Sequence, residues 1–326
     1  MLVWILFLAL ILVLLALDLG VFHRRAHVIS LPEALRWSVI WTLVALAFGV
    51  FVYFCYDRHW FGRGLAAPEA LTGAQAATQY LVGYVVERSL SLDNLFVIAM
   101  IFRFFRLPSR LEHRALFWGI LGALLLRGAM IAMGVALIQR FEWMTYVFGA
   151  ILLWTALRLL RHGDEDPELE HNPVLRLCRR RLRITADYRG TAFFVREDGL
   201  LWATPLVPLL ALVETSDVVF AVDSIPAVFG VTRDPFLVFT SNIFAILGLR
   251  ALFFLLSGFM DRFRYLKPSI VLILAYVGAK MLLAEVVHIS ALASLGVITL
   301  IMAAGVVASW RAGDGRGAPP TTGGTP

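Results

Sequence analysis

The sequence predicts an all-α, polytopic membrane helix bundle with about nine transmembrane helices. Hydrophobic residues make up 60 % of the 326 residues and charged residues only 16 %, and the mean hydropathy is +0.80. Soluble domains are only about 45 to 50 % apolar. A helix of about 20 apolar residues crosses the hydrocarbon core of a bilayer, and the chain contains a series of apolar runs of about this length. A soluble fold is therefore excluded.

Each apolar run is expected to form one helix. The runs fall near residues 2–19, 37–56, 80–102, 115–138, 142–160, 200–224, 236–260, 268–287 and 290–310. The first run is followed by Arg24 and Arg25 instead of a small-residue cleavage site, so we expect it to be retained as a span. Residues 311–326 are rich in Gly, Pro and Thr and are predicted to form a disordered cytoplasmic tail.

The distribution of basic residues predicts the orientation in the membrane. They concentrate in alternate connections, above all in the longest one, 161–199, which carries Arg176, Arg179, Arg180, Arg181 and Arg183. Cytoplasmic loops carry an excess of Lys and Arg. We therefore expect the N-terminus outside and the 161–199 loop and the C-terminus in the cytoplasm. The net charge of +6 thus follows topology and does not indicate a nucleic-acid partner.

Within a single transmembrane domain, 1–310, residues 80–160 and 200–287 are predicted to be two copies of a three-helix unit. Three short patterns recur in the same order: two carboxylates six residues apart, Ile-Leu-Gly before an arginine, and Tyr-Val before a glycine. In the first and second copy they occupy Glu87–Asp93 and Asp217–Asp223, 120–127 and 246–250, and 146–149 and 276–278. Because each copy has an odd number of helices, the two enter the membrane from opposite sides, as is common in secondary transporters.

Several charged residues lie inside predicted spans: Glu87, Arg88, Asp93, Arg127, Glu214, Asp217, Asp223, Arg250 and Lys280. A charge at a helix centre costs roughly 2.5 to 3.5 kcal/mol on insertion scales, so these residues must face a partner or a water-filled cavity. A network of structural ion pairs is one interpretation. A functional site is the other, because the carboxylates concentrate in 87–93 and 214–223, beside serine, threonine and asparagine side chains.

Oxygen-rich segments of this kind suit a hard divalent cation such as Mn²⁺, Mg²⁺ or Ca²⁺. Residues six apart on a continuous helix point about 120° away from each other. The pairs Glu87–Asp93 and Asp217–Asp223 are therefore expected to converge through local unwinding, which Pro226 would favour. Three basic residues are candidates for charge partners or a gate, although each could equally form one fixed salt bridge: Arg127, Arg250 and Lys280.

Three stretches of the chain resemble the TerC family, with the nearest similarity to its Alx branch. They read ERSLSLDNLFV from residue 87, ETSDVVFAVDSIPA from residue 214 and TSNIFAILGLR from residue 240. The likeness covers most of residues 1–310 and implies a multi-span inner-membrane protein linked to Mn²⁺ export, with tellurium resistance as an older association. By matching position it implies a metal site of Glu87, Asp93, Asn94, Glu214, Asp217 and Asp223.

The leading interpretation is a secondary transporter that exports Mn²⁺ by alternating access, with protons as the counter-ion and no permanently bound cofactor. The alternative is a non-transporting scaffold or sensor of metal or tellurium stress, in which the buried charges are structural. The sequence contains no HExxH, nucleophile elbow or P-loop, so neither an enzyme nor an ATP-driven pump is expected. Cys55 and Cys178 are the only cysteines, which gives thiol redox chemistry a weak basis.

Overall fold

A computed structural model of the chain describes residues 2–20, 31–65, 70–141, 143–161, 172–197, 199–257, 266–284, 286–287 and 289–314. Inside these ranges, the side chains of 18–20, 31, 93, 256–257, 266–267 and 310–314 are not part of the description. Asp93 is thus described only by its backbone, and residues 315–326 of the predicted tail lie outside the described residues.

The described chain is mostly helical. The helices are α1 Leu2–Gly20, α2 Leu31–Asp57, α3 Gly73–Phe104, α4 Ser109–Arg140, α5 Met144–Arg161, α6 Pro173–Arg181, α7 Leu206–Phe229, α8 Pro235–Leu247, α9 Leu249–Ser257, α10 Leu266–Leu282 and α11 Ala291–Asp314. A 3₁₀ turn, Trp60–Gly62, follows α2, and two short strands, β1 Phe194–Glu197 and β2 Leu200–Ala203, precede α7. The last helix continues to Asp314, beyond the predicted start of the tail at residue 311.

Five of the described helices or helix pairs are long and apolar enough to cross a membrane. They are Pro32–Asp57, Ser109–Arg140, Met144–Arg161, Pro235–Leu255 and Ala291–Ser309, and two shorter apolar helices are Leu2–Leu17 and Pro268–Leu282. The helices α3 and α7 do not qualify by composition, although their 32 and 24 residues are sufficient in length. Both carry the charged residues that were singled out above, which lower their apolar character.

The prediction of an all-α chain is corrected in the 161–199 connection and at the start of the next run. Phe194–Glu197 pairs with Leu200–Ala203 as an antiparallel hairpin, so α7 begins at Leu206 and not near residue 200. Asp-Gly between two apolar or β-branched stretches is a strong hairpin signal. Gly199 adopts the positive φ of 76° that such a turn requires.

The predicted helix over 236–260 is interrupted at Gly248, where α8 ends and α9 begins. The Arg88 guanidinium of α3 lies against Gly248, in the space that a Cβ would fill. Its Nη1 donates to the Ala245 carbonyl oxygen over 3.1 Å. In a continuous helix this carbonyl would accept from the N–H four residues later, so the arginine replaces a helical hydrogen bond.

The described helices pack around α3, which contacts α2, α7, α8 and α11. Two further features place the remaining elements: α4 lies against α7 much as α8 lies against α3, and α5 lies along α10. The close approach of α5 and α10 depends on Gly149 and Gly278. A Cβ on Gly149 would lie 3.1 Å from the Gly278 carbonyl oxygen, and a Cβ on Gly278 would lie 3.0 Å from that of Gly149.

Candidate charged site between α3, α4 and α7

The first signature segment places polar side chains on one face of α3. Glu87, Ser91 and Asn94 are spaced by four and three residues, so they share a face. All three are buried, with 0 %, 1 % and 2 % of their surface exposed. Asp217 and Ser224 of α7, seven residues apart, likewise share a face and are 3 % and 2 % exposed.

The helices α3 and α7 are continuous through these segments, which corrects the expectation of local unwinding. Seven residues complete almost two turns of a helix. Glu87 and Asn94 therefore share a face of a continuous α3, and Asp217 and Ser224 share a face of a continuous α7. Pro226 lies inside α7 without ending it.

Arg127 of α4 joins the two carboxylates. Its Nη1 donates to Glu87 Oε1, its Nη2 to Asp217 Oδ1 over 2.8 Å and its Nε to Asp217 Oδ2 over 3.0 Å. Nη1 also lies 3.3 Å from the Ser224 hydroxyl. The side chain is 1 % exposed. A planar guanidinium suits such bidentate contacts with a carboxylate.

Two asparagines complete the cluster. Asn94 Nδ2 donates to Asp217 Oδ1 over 2.7 Å, and Asn242 Nδ2 of α8 donates to Glu87 Oε2 over 2.9 Å. In each case the amide oxygen Oδ1 is buried and has no hydrogen-bond partner in the described structure. The site thus presents two buried acceptor oxygens without a donor.

The charges of this cluster do not cancel. Glu87 and Asp217 as carboxylates provide two negative charges, and Arg127 provides one positive charge. Among these three described side chains one negative charge is therefore in excess, in a place where an uncompensated charge is expensive. The two unpartnered amide oxygens are further acceptors beside this charge, and a bound cation could use them as ligands.

A small cavity extends from the cluster toward Asp223. It has a volume of about 50 Å³, and its lining includes Glu87, Arg127, Ser224, Asp223 and Thr155. A cavity of ~10 to 15 Å³ already holds one water molecule, so this one has room for a few water molecules or a small cation. Asp223 is half-buried, and its Oδ1 accepts a hydrogen bond from the Thr155 hydroxyl over 2.7 Å.

Glu214 lies apart from the cluster. Its carboxylate lies against Gly122 of α4, in the space that a Cβ would fill, and its Oε2 is buried without a partner among the described residues. It also lines an apolar pocket together with Trp118 and Phe193. Glu214 is one helical turn before Asp217 on α7.

The predicted site residues thus fall into separate places. Hydrogen bonds join Glu87, Asn94, Asp217 and Arg127, Asp223 lines a cavity with Glu87 and Arg127, and Glu214 lies against Gly122 instead. Lys280 of α10 contacts the Ser294 hydroxyl over 2.9 Å instead of a carboxylate among the described residues, and Arg250 is buried and engaged at the start of α9. Within the described part of the chain, no three His, Cys, Asp or Glu side chains gather as metal ligands.

Asn242 is the site residue that was not selected from the sequence. It lies in the TSNIFAILGLR stretch, but an uncharged amide in an apolar helix does not show the cost of burial that identified the charged residues. Its 0 % exposure and its hydrogen bond to Glu87 place it in the cluster. Asparagine in the middle of an apolar run is the signal that could have found it.

Comparison with known proteins also indicates a membrane protein. The family described as "Integral membrane protein TerC family" matches residues 72–315 of the chain. The chain belongs to the TerC family. This range contains every residue of the charged cluster, and no solved structure matches the chain.

Relatives of this TerC-family chain cover nearly its whole length. A membrane protein of Myxococcus xanthus is 45 % identical over 94 % of this chain and 91 % of its own. The protein Alx of Salmonella typhi, described as a proposed membrane-bound redox modulator, is 45 % identical over 91 % of this chain and 90 % of its own. Alx of Escherichia coli K12 is 44 % identical over 91 % and 90 %.

Proposed function

We propose that this TerC-family protein is a secondary transporter that exports Mn²⁺ from the cytoplasm in exchange for protons. The observation that carries the proposal is the excess negative charge of the Glu87–Arg127–Asp217 cluster beside the two unpartnered amide oxygens of Asn94 and Asn242. A buried ionisable group in a membrane protein commonly marks an ion pathway. The TerC resemblance supplies the identity of the metal.

The donor set suits the substrate. Carboxylate oxygens of Glu87 and Asp217 and amide oxygens of Asn94 and Asn242 are hard ligands of the kind that Mn²⁺ accepts. In the described structure Arg127 lies between the carboxylates. It serves as the internal counter-charge of the substrate-free site, and a dication that binds both carboxylates displaces it.

Proton exchange follows from the same carboxylates. When the dication leaves, two carboxylates in one buried site repel each other, and the pair takes up a proton more readily. Metal leaving and proton binding therefore compete for the same oxygens. Asp223 lines the same cavity as Glu87 and is suited to pass protons or the cation to it.

The two three-helix units are proposed to move against each other around this site. Three features support an inverted repeat: the matched packing of α4 on α7 and α8 on α3, the contact between the matched glycines Gly149 and Gly278, and the meeting of Glu87 and Asp217 at one arginine. Sites at the interface of such repeats are typical of secondary transporters.

The proposal is tested with the full chain in proteoliposomes under an imposed pH gradient, with Mn²⁺ uptake as the readout. Wild type is expected to show gradient-driven flux, and Asp217→Asn and Asp223→Asn are expected to lose it at matched protein levels. Asp57→Asn, an exposed carboxylate at the end of α2, is the control and should keep full flux. Absence of flux in wild type under any gradient would overturn the proposal.

A second candidate is a non-transporting scaffold or sensor, and one observation favours it. Arg127 makes ion pairs with both carboxylates, which is also what a fixed structural network requires. In that case Asp217→Asn would lower the thermal stability, and Asp223→Asn, which can still accept the hydrogen bond from Thr155, would have no effect on any metal-dependent property.

The side chains of this protein offer little support for a redox role like the one for which Alx is named. Cys55 and Cys178 are both free. Burial raises the pKa of the Cys178 thiol, so less of it is thiolate at neutral pH than in an exposed cysteine. If the protein modulates redox state, an effect through metal export is the proposal most compatible with these side chains.

A further inference from the structure

The connection between α5 and α7 carries an unusually basic helix. On α6, Arg179 and Arg180 follow Arg176 by three and four residues, so the three side chains share one face, and Arg183 follows just after the helix ends at Arg181. All four are exposed. None of them has a carboxylate partner among the described residues.

An arginine face of this kind lowers the stability of the helix unless negative charges compensate it. Like charges three or four residues apart destabilise a helix. The C-terminal carbonyl groups offset part of this repulsion for the last turn, but Arg176 lies in the first half of the helix and gains nothing from them. The arrangement therefore calls for an anionic partner outside the described residues.

Contacts with neighbouring helices and turns fix the position of α6 and of the connection after it. Leu175 is 1 % exposed and belongs to the same core cluster as Leu206 and Leu209 of α7. The Tyr188 hydroxyl donates to the Phe105 carbonyl oxygen over 2.9 Å, which ties the connection to the turn between α3 and α4. Burial raises the pKa of Tyr188 to about 12, so this donor stays protonated at neutral pH. Three exposed arginines lie at this turn and at the helix ends beside it: Arg103, Arg106 and Arg110.

Exposed apolar side chains lie in the same segment. Leu177 on α6 is 57 % exposed, and in the hairpin Phe194, Leu200 and Leu201 are 49 %, 46 % and 62 % exposed. Arginines combined with exposed leucine and phenylalanine are typical of segments that lie at the boundary between lipid headgroups and acyl chains. The segment leads directly into α7, so it is tethered within reach of a bilayer surface.

We propose that the arginine face of α6 is a binding site for the headgroups of anionic phospholipids. The phosphates neutralise Arg176, Arg179, Arg180 and Arg183, while the exposed apolar side chains lie against the acyl chains. Since α6 packs on α7, lipid bound at this face is in mechanical contact with the helix that carries Asp217. The proposal does not depend on the identity of any transported ion.

The test measures lipid binding and not transport. The full chain in detergent is titrated with phosphatidylglycerol or phosphatidylcholine, and bound lipid is counted by native mass spectrometry at two salt concentrations. Wild type should prefer phosphatidylglycerol, less so at high salt. The triple variant Arg176→Gln, Arg179→Gln, Arg180→Gln should bind it about 100-fold more weakly, since each arginine at an anionic surface contributes about fivefold.

The matched control removes three exposed arginines outside this segment: Arg58→Gln, Arg140→Gln and Arg233→Gln. It loses the same charge and should bind phosphatidylglycerol like wild type. A triple Arg→Lys variant at 176, 179 and 180 should also retain most of the binding. Equal loss in the two Gln triples, or no lipid preference in wild type, would overturn the proposal.

Discussion

The helix α4 and the pair α8–α9 carry the same short pattern, Ile-Leu-Gly before an arginine, and the structure uses it in opposite ways. Gly122 in α4 faces the carboxylate of Glu214, and Gly248 between α8 and α9 faces the guanidinium of Arg88. The helix α4 is continuous over its 32 residues, whereas the other helix is interrupted at its glycine.

The hydrogen-bonding capacity of the facing group explains the difference. A carboxylate is only an acceptor and cannot compete for a helix carbonyl, so α4 keeps its hydrogen bonds and Glu214 Oε2 remains without a partner. A guanidinium carries only donors, and Arg88 takes the Ala245 carbonyl oxygen. The same glycine pattern thus allows a straight helix or a break, depending on the charge that it receives.

The continuity of α4 also positions the site, because Arg127 lies only five residues after Gly122 on an unbroken helix. Replacing it by glutamine leaves two buried carboxylates without a counter-charge. Arg127→Gln is therefore expected to lower the free energy of unfolding by about 3 to 5 kcal/mol, the cost of breaking a buried pair. Thermal and denaturant unfolding in detergent measure it, and Arg127→Lys should recover part of the loss.

The same variant separates a cation site from a fixed salt bridge. If a dication displaces Arg127 during transport, Mn²⁺ should stabilise Arg127→Gln more than it stabilises wild type. An Arg127→Gln protein that is as stable as wild type would show that the carboxylates do not depend on this arginine.

Alanine substitutions at Gly122 and Gly248 are expected to change the free energy of unfolding less than Arg127→Gln does. A helical Gly→Ala change normally stabilises by up to about 1 kcal/mol, but at Gly122 and Gly248 the new methyl group collides with Glu214 and Arg88. Arg88 is held by hydrogen bonds to the Ala245 carbonyl oxygen and the Ser38 hydroxyl, so Gly248→Ala should cost about 1 to 3 kcal/mol by overpacking. The end of the Glu214 side chain lacks such partners and can move aside, so Gly122→Ala should cost less. Gly296→Ala is the control, because nothing lies within 4 Å of its Cβ position, and it should be neutral or stabilising.

The glycine variants also test the break directly. Adding Arg88→Ala to Gly248→Ala removes the collision and the competing donor together, and the double variant should recover stability. Persistent instability in the double variant would assign the break to the backbone itself and not to Arg88.

The sequence predicts the membrane class, most helix positions and the central carboxylates, because burying charge among apolar residues is visible without a structure. It does not predict which residues pair. The cost of burying charge selects Asp93 and Asp223, and the family resemblance adds Asn94, but neither shows that Asn94 and Ser224 share helix faces with Glu87 and Asp217. Nor does it predict the break at Gly248, which depends on a donor from another helix, or the hairpin, whose second strand, Leu200–Ala203, forms the start of a predicted helical run.

Glu214→Gln is expected to have the smallest effect and sharpens the comparison at Gly122. The amide removes a half-buried charge whose Oε2 lacks a partner, and it brings a donor to α4. The free energy of unfolding should therefore rise by about 1 kcal/mol or less. Equilibrium unfolding with and without Mn²⁺ measures this change. Because Glu214 stands apart from Glu87 and Asp217, the Mn²⁺-induced stabilisation should match that of wild type, and its loss would place Glu214 among the metal ligands after all.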